Sequence, residues 1–138
     1  MKMKIHKTVL AVFMTLCMAC TPVCAFNGIT IQPYYNNVSS ARLMIGFDMN
    51  NVVYCTLNLT PYTHGSGVSG MMKLFNSNGN CIAAWAVSDY NSPFIVENTY
   101  QGVYGETYTV TFEGYAYSNN QTAPDRLELS VTDTCIDY

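Results

Sequence analysis

MMKLFNSNGNCIAAWAV, residues 71–87, decides the fold. Met72 and Leu74 alternate with Met71, Lys73 and Phe75. Beyond the Asn-rich stretch 76–80, Cys81, Ala83, Trp85 and Val87 share a second alternating face. A strand points successive side chains to opposite faces, so a period of two reads as a half-buried strand. Asn78-Gly79 tolerates the positive φ of a type I′ hairpin turn. The expectation is a hairpin: strand 68–75 with Met72 and Leu74 inward, a turn over 76–80, and strand 81–88.

The same pattern extends in both directions. Leu43, Ile45, Phe47 and Met49 alternate with Arg42, Met44, Gly46 and Asp48 in a strand over 41–49. After an Asn50-Asn51 turn, Val53, Cys55, Leu57 and Leu59 alternate with Tyr54, Thr56, Asn58 and Thr60 over 52–60. Further strands fall at 93–100, 106–117 and 126–133. Gly, Ser, Asn and Pro clusters at 61–70, 89–93, 101–105 and 118–125 separate them. In 106–117, Tyr108, Val110 and Phe112 face inward, while Thr109, Thr111, Glu113, Tyr115 and Tyr117 face outward. Strands recurring about every 8–12 residues imply an all-β, seven-stranded Greek-key, immunoglobulin-like β-sandwich, with a small closed β-barrel as the alternative. The expected sheets group 41–49, 52–60 and 93–100 on one side, and 126–133, 106–117, 68–75 and 81–88 on the other. Residues 28–32 add an edge strand. The immunoglobulin pin is missing: Cys55 is on the second strand, Trp85 falls one strand late, and 106–117 holds no cysteine. Tyr104, just before that strand, is expected to hydrogen-bond back across a corner.

Lys2, Lys4 and Lys7 precede an apolar run from Thr8 to Ala19, too short to span a bilayer. Val23-Cys24-Ala25 offers small residues at a cleavage site. Residues 1–25 therefore read as a secretory signal peptide, and 26–138 as a single domain that is secreted and extracellular, with no membrane insertion after cleavage. In that domain three basic side chains, Arg42, Lys73 and Arg126, stand against nine acidic ones, a net charge of −6. Nucleic acid and anionic membranes are poor partners for it. Three cysteines remain, Cys55, Cys81 and Cys135. They allow at most one internal disulfide, and the odd thiol is either buried or bridges to another molecule.

YYNNVSSARLMIGF (34–47), MMKLFNSNGNCIAAWAV (71–87) and YQGVYGETYTVTFEGYAYSNN (100–120) resemble a group of small secreted immunoglobulin-like β-sandwich proteins of anaerobic Gram-positive bacteria. The resemblance spans about residues 33–133. It rests on an aromatic-Asn-hydrophobic-Ser opening, an Asn-Gly hairpin returning through Trp, and a Tyr-rich strand ending in an Asn/Ser loop. It implies the fold and an extracellular, bacterial setting, and it brings no catalytic residues. The acidity and the three cysteines depart from it.

Catalysis needs converging reactive groups, and few are present. His64 and Ser66 lie two apart in a loop without a nucleophile-elbow pattern. Carboxylates are scattered; Glu113 and Glu128 share a sheet surface, where a Glu113–Arg126 cross-strand pair is the simpler reading. Asp48/Asn50/Asn51 and Asp89/Asn91 offer oxygen ligands without an EF-hand pattern, so no metal and no cofactor is expected. Asn37, Asn58 and Asn120 head glycosylation sequons, which matter only in a eukaryotic source. The outstanding feature is eleven tyrosines. Tyr54, Tyr115 and Tyr117 fall on outward faces, where tyrosine buries area at low entropic cost. The expected function is a non-catalytic recognition module that binds an extracellular protein or glycan through Tyr115, Tyr117, Asn119 and Asn120. The alternatives are a small bacteriocin- or toxin-like effector, a protease inhibitor presenting 61–70, and a small hydrolase using His64 or Glu113.

Overall fold

The computed structural model describes residues 26–31, 36–62, 66–89, 93–118 and 123–136. They form eight strands: β1 (Phe26–Ile31), β2 (Val38–Phe47), β3 (Val52–Pro61), β4 (Gly67–Phe75), β5 (Cys81–Asp89), β6 (Phe94–Gln101), β7 (Thr107–Tyr117) and β8 (Asp125–Thr134). Among the described residues they make two antiparallel four-stranded sheets, ordered β1-β2-β3-β6 and β5-β4-β7-β8. Neither sheet closes on itself, so the barrel alternative is not what forms. The grouping of β2, β3 and β6 against β8, β7, β4 and β5 is the expected one. The eighth strand is β1, which pairs along the outer edge of β2 from Phe26↔Gly46 to Ile31↔Ala41.

One apolar core holds the sheets together. Leu43, Ile45, Val53, Cys55, Leu57 and Leu59 from the first sheet meet Val68, Met72, Leu74, Val110, Phe112, Leu127 and Leu129 from the second. Period-two alternation placed all of these inward except Val68, Leu127 and Leu129, and each buried aliphatic or aromatic side chain contributes about 1.5–3 kcal/mol. At the edge strands burial is incomplete: Ile82, Ala83 and Trp85 of β5, and Val96 and Tyr100 of β6, only rest against the core.

Both tight hairpins use one device. In the β2–β3 turn, Asp48 Oδ1 accepts from the N–H groups of Asn50 (2.9 Å) and Val52 (2.9 Å), and Asn51 adopts φ 61°. In the β4–β5 turn, Asn76 Oδ1 accepts from Asn78 N–H (3.1 Å) and Asn80 N–H (3.0 Å), and Gly79 adopts φ 77°. Gly79 N–H also donates to Asn76 O at 2.9 Å. Asn78 does not share the positive φ, so the turn is not the expected type I′. It is a turn closed by one left-handed residue, the arrangement that accompanies a bulge. The β4–β5 register accordingly slips by one between Leu74 and Phe75. That slip takes Cys81 off the Ala83–Trp85–Val87 face and leaves it exposed. Met49 departs from expectation for a related reason: β2 ends at Phe47, and Met49 sits on the turn, 79% exposed.

The corner between β6 and β7 corrects another expectation. Tyr104 is 57% exposed, and the tyrosine that bonds back is Tyr108. Its buried hydroxyl accepts from Val103 N–H at 2.9 Å, and its ring packs on Phe47 and Tyr100 at 6.1 and 6.4 Å. Burial raises its pKa. Tyr108→Phe keeps the packing and removes only the acceptor. It is expected to cost about 1 kcal/mol in urea unfolding with an unchanged m-value. A neutral result would remove the corner bond as a stabilising contact.

Candidate functional site

β7 lies between β4 and β8, so each outward residue has a neighbour on both sides. Tyr115 is opposite Ser69 and Arg126; Glu113 is opposite Met71 and Glu128; Thr111 is opposite Lys73 and Ser130. The inward set is Tyr108, Val110, Phe112 and Ala116, all buried, which forces Tyr115 outward. Tyr115 is 50% exposed and Met71 37%. Ala84 and Ala86 of β5, opposite Lys73 and Met71, continue the exposed apolar strip to the sheet edge. Polar groups frame it. Arg126 forms an ion pair along its own strand with Glu128, which replaces the expected Glu113–Arg126 pair. That pair is exposed and contributes little to stability, but it sets charge beside the Tyr115 ring.

The proposed residues are not equivalent. Tyr117, opposite Gly67, is half-buried, so Tyr115 offers the larger free surface. Asn119 and Asn120 lie outside the described residues. Tyr54 serves the fold instead: its hydroxyl donates to Asp48 Oδ2 at 3.2 Å and braces the β2–β3 turn.

Several candidates for chemistry have structural partners. Both oxygens of Asp48 are held by turn donors, and the Val52 N–H bond foremost holds its pKa below the usual value. Glu106 Oε1 accepts from the Ser77 hydroxyl (2.5 Å) and the Ser77 N–H (3.0 Å), which lowers its pKa and ties the β4–β5 turn to the β6–β7 corner. Among the described residues, no three His, Cys, Asp or Glu side chains gather to hold a metal. Ser66 is buried, and His64 lies outside the described residues. Glu113 and Glu128 do face one another across β7 and β8, both exposed on the sheet surface.

Cys55, Cys81 and Cys135 are free thiols. Burial pushes the Cys55 thiol up to about 12, so it is neutral and unreactive at physiological pH. Cys135, also buried, directs its Sγ to Asn51 Oδ1 at 3.5 Å. Cys81 is exposed, with Sγ 3.4 Å from Ala83 O. Iodoacetamide labelling of the folded protein, mapped by peptide mass, is expected to modify Cys81 and spare Cys55 and Cys135 until denaturant is added. Equal native labelling of all three would contradict this packing.

Asn37 was legible only as a sequon, and its role is different. It is 1% exposed, its Nδ2 donates to Ala123 O (2.9 Å) and Ala116 O (3.4 Å), and its N–H donates to Asp125 Oδ2 at 2.7 Å. The nitrogen a glycan would occupy is inside the fold. Asn58 is half-buried on β3, and Asn120 lies outside the described residues. The Asp125 contact joins residues 88 apart, and no short-range spacing signals it. No family model, curated protein or solved structure matches the chain.

Proposed function

We propose that this protein is a secreted, non-catalytic recognition module that binds an extracellular protein or glycan through the outer face of the β5-β4-β7-β8 sheet, centred on Tyr115. The observation that carries the reading is Tyr115 itself. It is a half-exposed aromatic on a central strand, beside exposed Met71 and an Arg126–Glu128 pair. A rigid aromatic set among polar groups is the make-up of a binding surface. A Greek-key, immunoglobulin-like sandwich is the topology we assign. It is supported by four consecutive antiparallel pairs (β1–β2, β2–β3, β4–β5, β7–β8), by changes of sheet at β3–β4, β5–β6 and β6–β7, and by the corner tyrosine. Secretion is supported by the basic-then-apolar run over 2–19. Val23-Cys24-Ala25 supplies the small residues of a cleavage site after Ala25. The resemblance over 33–133 to small secreted bacterial proteins favours the same compartment.

The test is capture of partners from host secretions and cell-wall glycans by wild type and by Tyr115→Ala/Tyr117→Ala, followed by affinity measurement on the captured partner. The double variant is expected to bind about 10–30-fold more weakly, at an unchanged melting temperature. Equal affinity for every partner would move the binding surface off β7.

A further inference from the structure

We propose that the free edge of β5 pairs, antiparallel and across a two-fold axis, with β5 of a second copy of this chain. Among the described strands β5 hydrogen-bonds only to β4, so its outer edge presents backbone N–H and C=O groups suited to another extended strand. Folded proteins guard such edges with charge, proline or an inward polar residue. β8 carries Arg126, Glu128 and Asp133. β6 carries Glu97 outward, with Asn98 directed inward toward the Met72 sulfur at 4.0 Å. β1 has six residues and a glycine at its centre. From Cys81 to Ser88, β5 has no charged residue and no proline.

The strand is also close to self-complementary. Ala83-Ala84-Trp85-Ala86-Val87 places small residues symmetrically about Trp85. An antiparallel pairing centred there sets Trp85 against Trp85 of the second copy, Ala84 against Ala86, and Ala83 against Val87. On the outer face Ala84 and Ala86 are exposed, so nothing bulky obstructs approach. On the inner face Trp85 rests only partly buried against the core, and a facing Trp85 would complete its burial. The bulge beside Cys81 confines regular pairing to residues 83–87. Charge selects the site as well. The acidic balance of 26–138 repels a second copy over most of the surface, and β5 carries none of that charge from Cys81 to Ser88, Asp89 standing at its end outside the paired stretch. Two-fold pairing makes the contact isologous and closed, so it ends at a dimer.

The test is sedimentation equilibrium of the full chain over a concentration series, with two double variants. Ala84→Lys/Ala86→Lys and Ala84→Glu/Ala86→Glu each place like charges directly opposite one another in the pairing. Wild type is expected to sediment at twice the chain mass, each variant alone at one chain mass, and an equimolar mixture of the two variants at twice the chain mass again. Restored association in the mixture also shows that both variants are folded. A monomeric wild type up to about 1 mM would overturn the proposal. A dimer that persists in both variants, or a mixture that fails to associate, would overturn it equally.

Discussion

Phe112→Ala is expected to destabilise the fold by about 3–5 kcal/mol in chemical denaturation, the range for deleting a fully buried aromatic side chain. Phe112 is fully buried at the middle of β7, the strand that joins β4 to β8. Its ring lies against two facing glycines, Gly70 of β4 and Gly114 of β7, which are register partners. A Cβ at Gly114 would stand 2.7 Å from the ring and 2.4 Å from Ser69 O. At Gly70 it would stand 2.8 Å from the ring and 2.4 Å from Glu113 O. No side chain fits at either position, so the ring supplies the packing that two residues would otherwise share. With the ring removed, the glycines have no side chains to swing into the gap. The backbone, held by pairing on both sides, cannot follow. The cavity should therefore stay open, and the cost should fall in the upper half of the range. A loss below about 2 kcal/mol would mean that β4 and β7 can close over the site.

Phe112 also shows why much of this fold was legible. On central strands the core takes one face and water the other, so alternation along Val53, Cys55, Leu57 and Leu59, or along Tyr108, Val110 and Phe112, translates directly into burial. The reading failed where a different force decides orientation. Met49 continues the period of two, but Asp48 captures the Asn50 and Val52 N–H groups and ends the strand before it. Cys81 continues the Ala83–Trp85–Val87 face on paper, but the left-handed Gly79 imposes a bulge that turns it out. Tyr104 and Tyr108 are equally placed in sequence to brace the corner. Only Tyr108 has the inward direction that brings its hydroxyl under Val103. For the candidate site, the outward direction of Tyr115 followed from parity alone. Its framing did not: whether Arg126 pairs across to Glu113 or along the strand to Glu128 depends on rotamers, which alternation does not encode.

Asp125→Ala is expected to cost about 2–4 kcal/mol, although Asp125 sits at a strand end and carries a charge. Its carboxylate accepts the Asn37 N–H at 2.7 Å and the Asn36 N–H at 3.2 Å. Bonds to an ionised acceptor contribute more than neutral ones, and a buried N–H left without an acceptor bears its full desolvation penalty. Asn37 cannot turn to water for a replacement, because its side chain is fixed by Ala116 O and Ala123 O. Truncating the aspartate therefore loosens both ends of one clamp: the chain entering β2, and the junction where β7 ends and β8 begins. Asp125→Asn keeps an oxygen acceptor but not the charge, and should lose about half as much. Hydrogen exchange separates this loss from a general weakening. In Asp125→Ala the amides of Asn36, Asn37 and Val38 should lose protection before those of Val53 or Phe112. Because Asp125 faces Ala116 and Arg126 faces Tyr115 in the same register, the clamp also fixes the strand end that presents Tyr115. A partner that binds there should dissociate faster from Asp125→Ala than from wild type, even though Asp125 is too buried to touch it. Unchanged dissociation with the stability loss intact would confine the clamp to folding and leave the Tyr115 face positioned by the sheet alone.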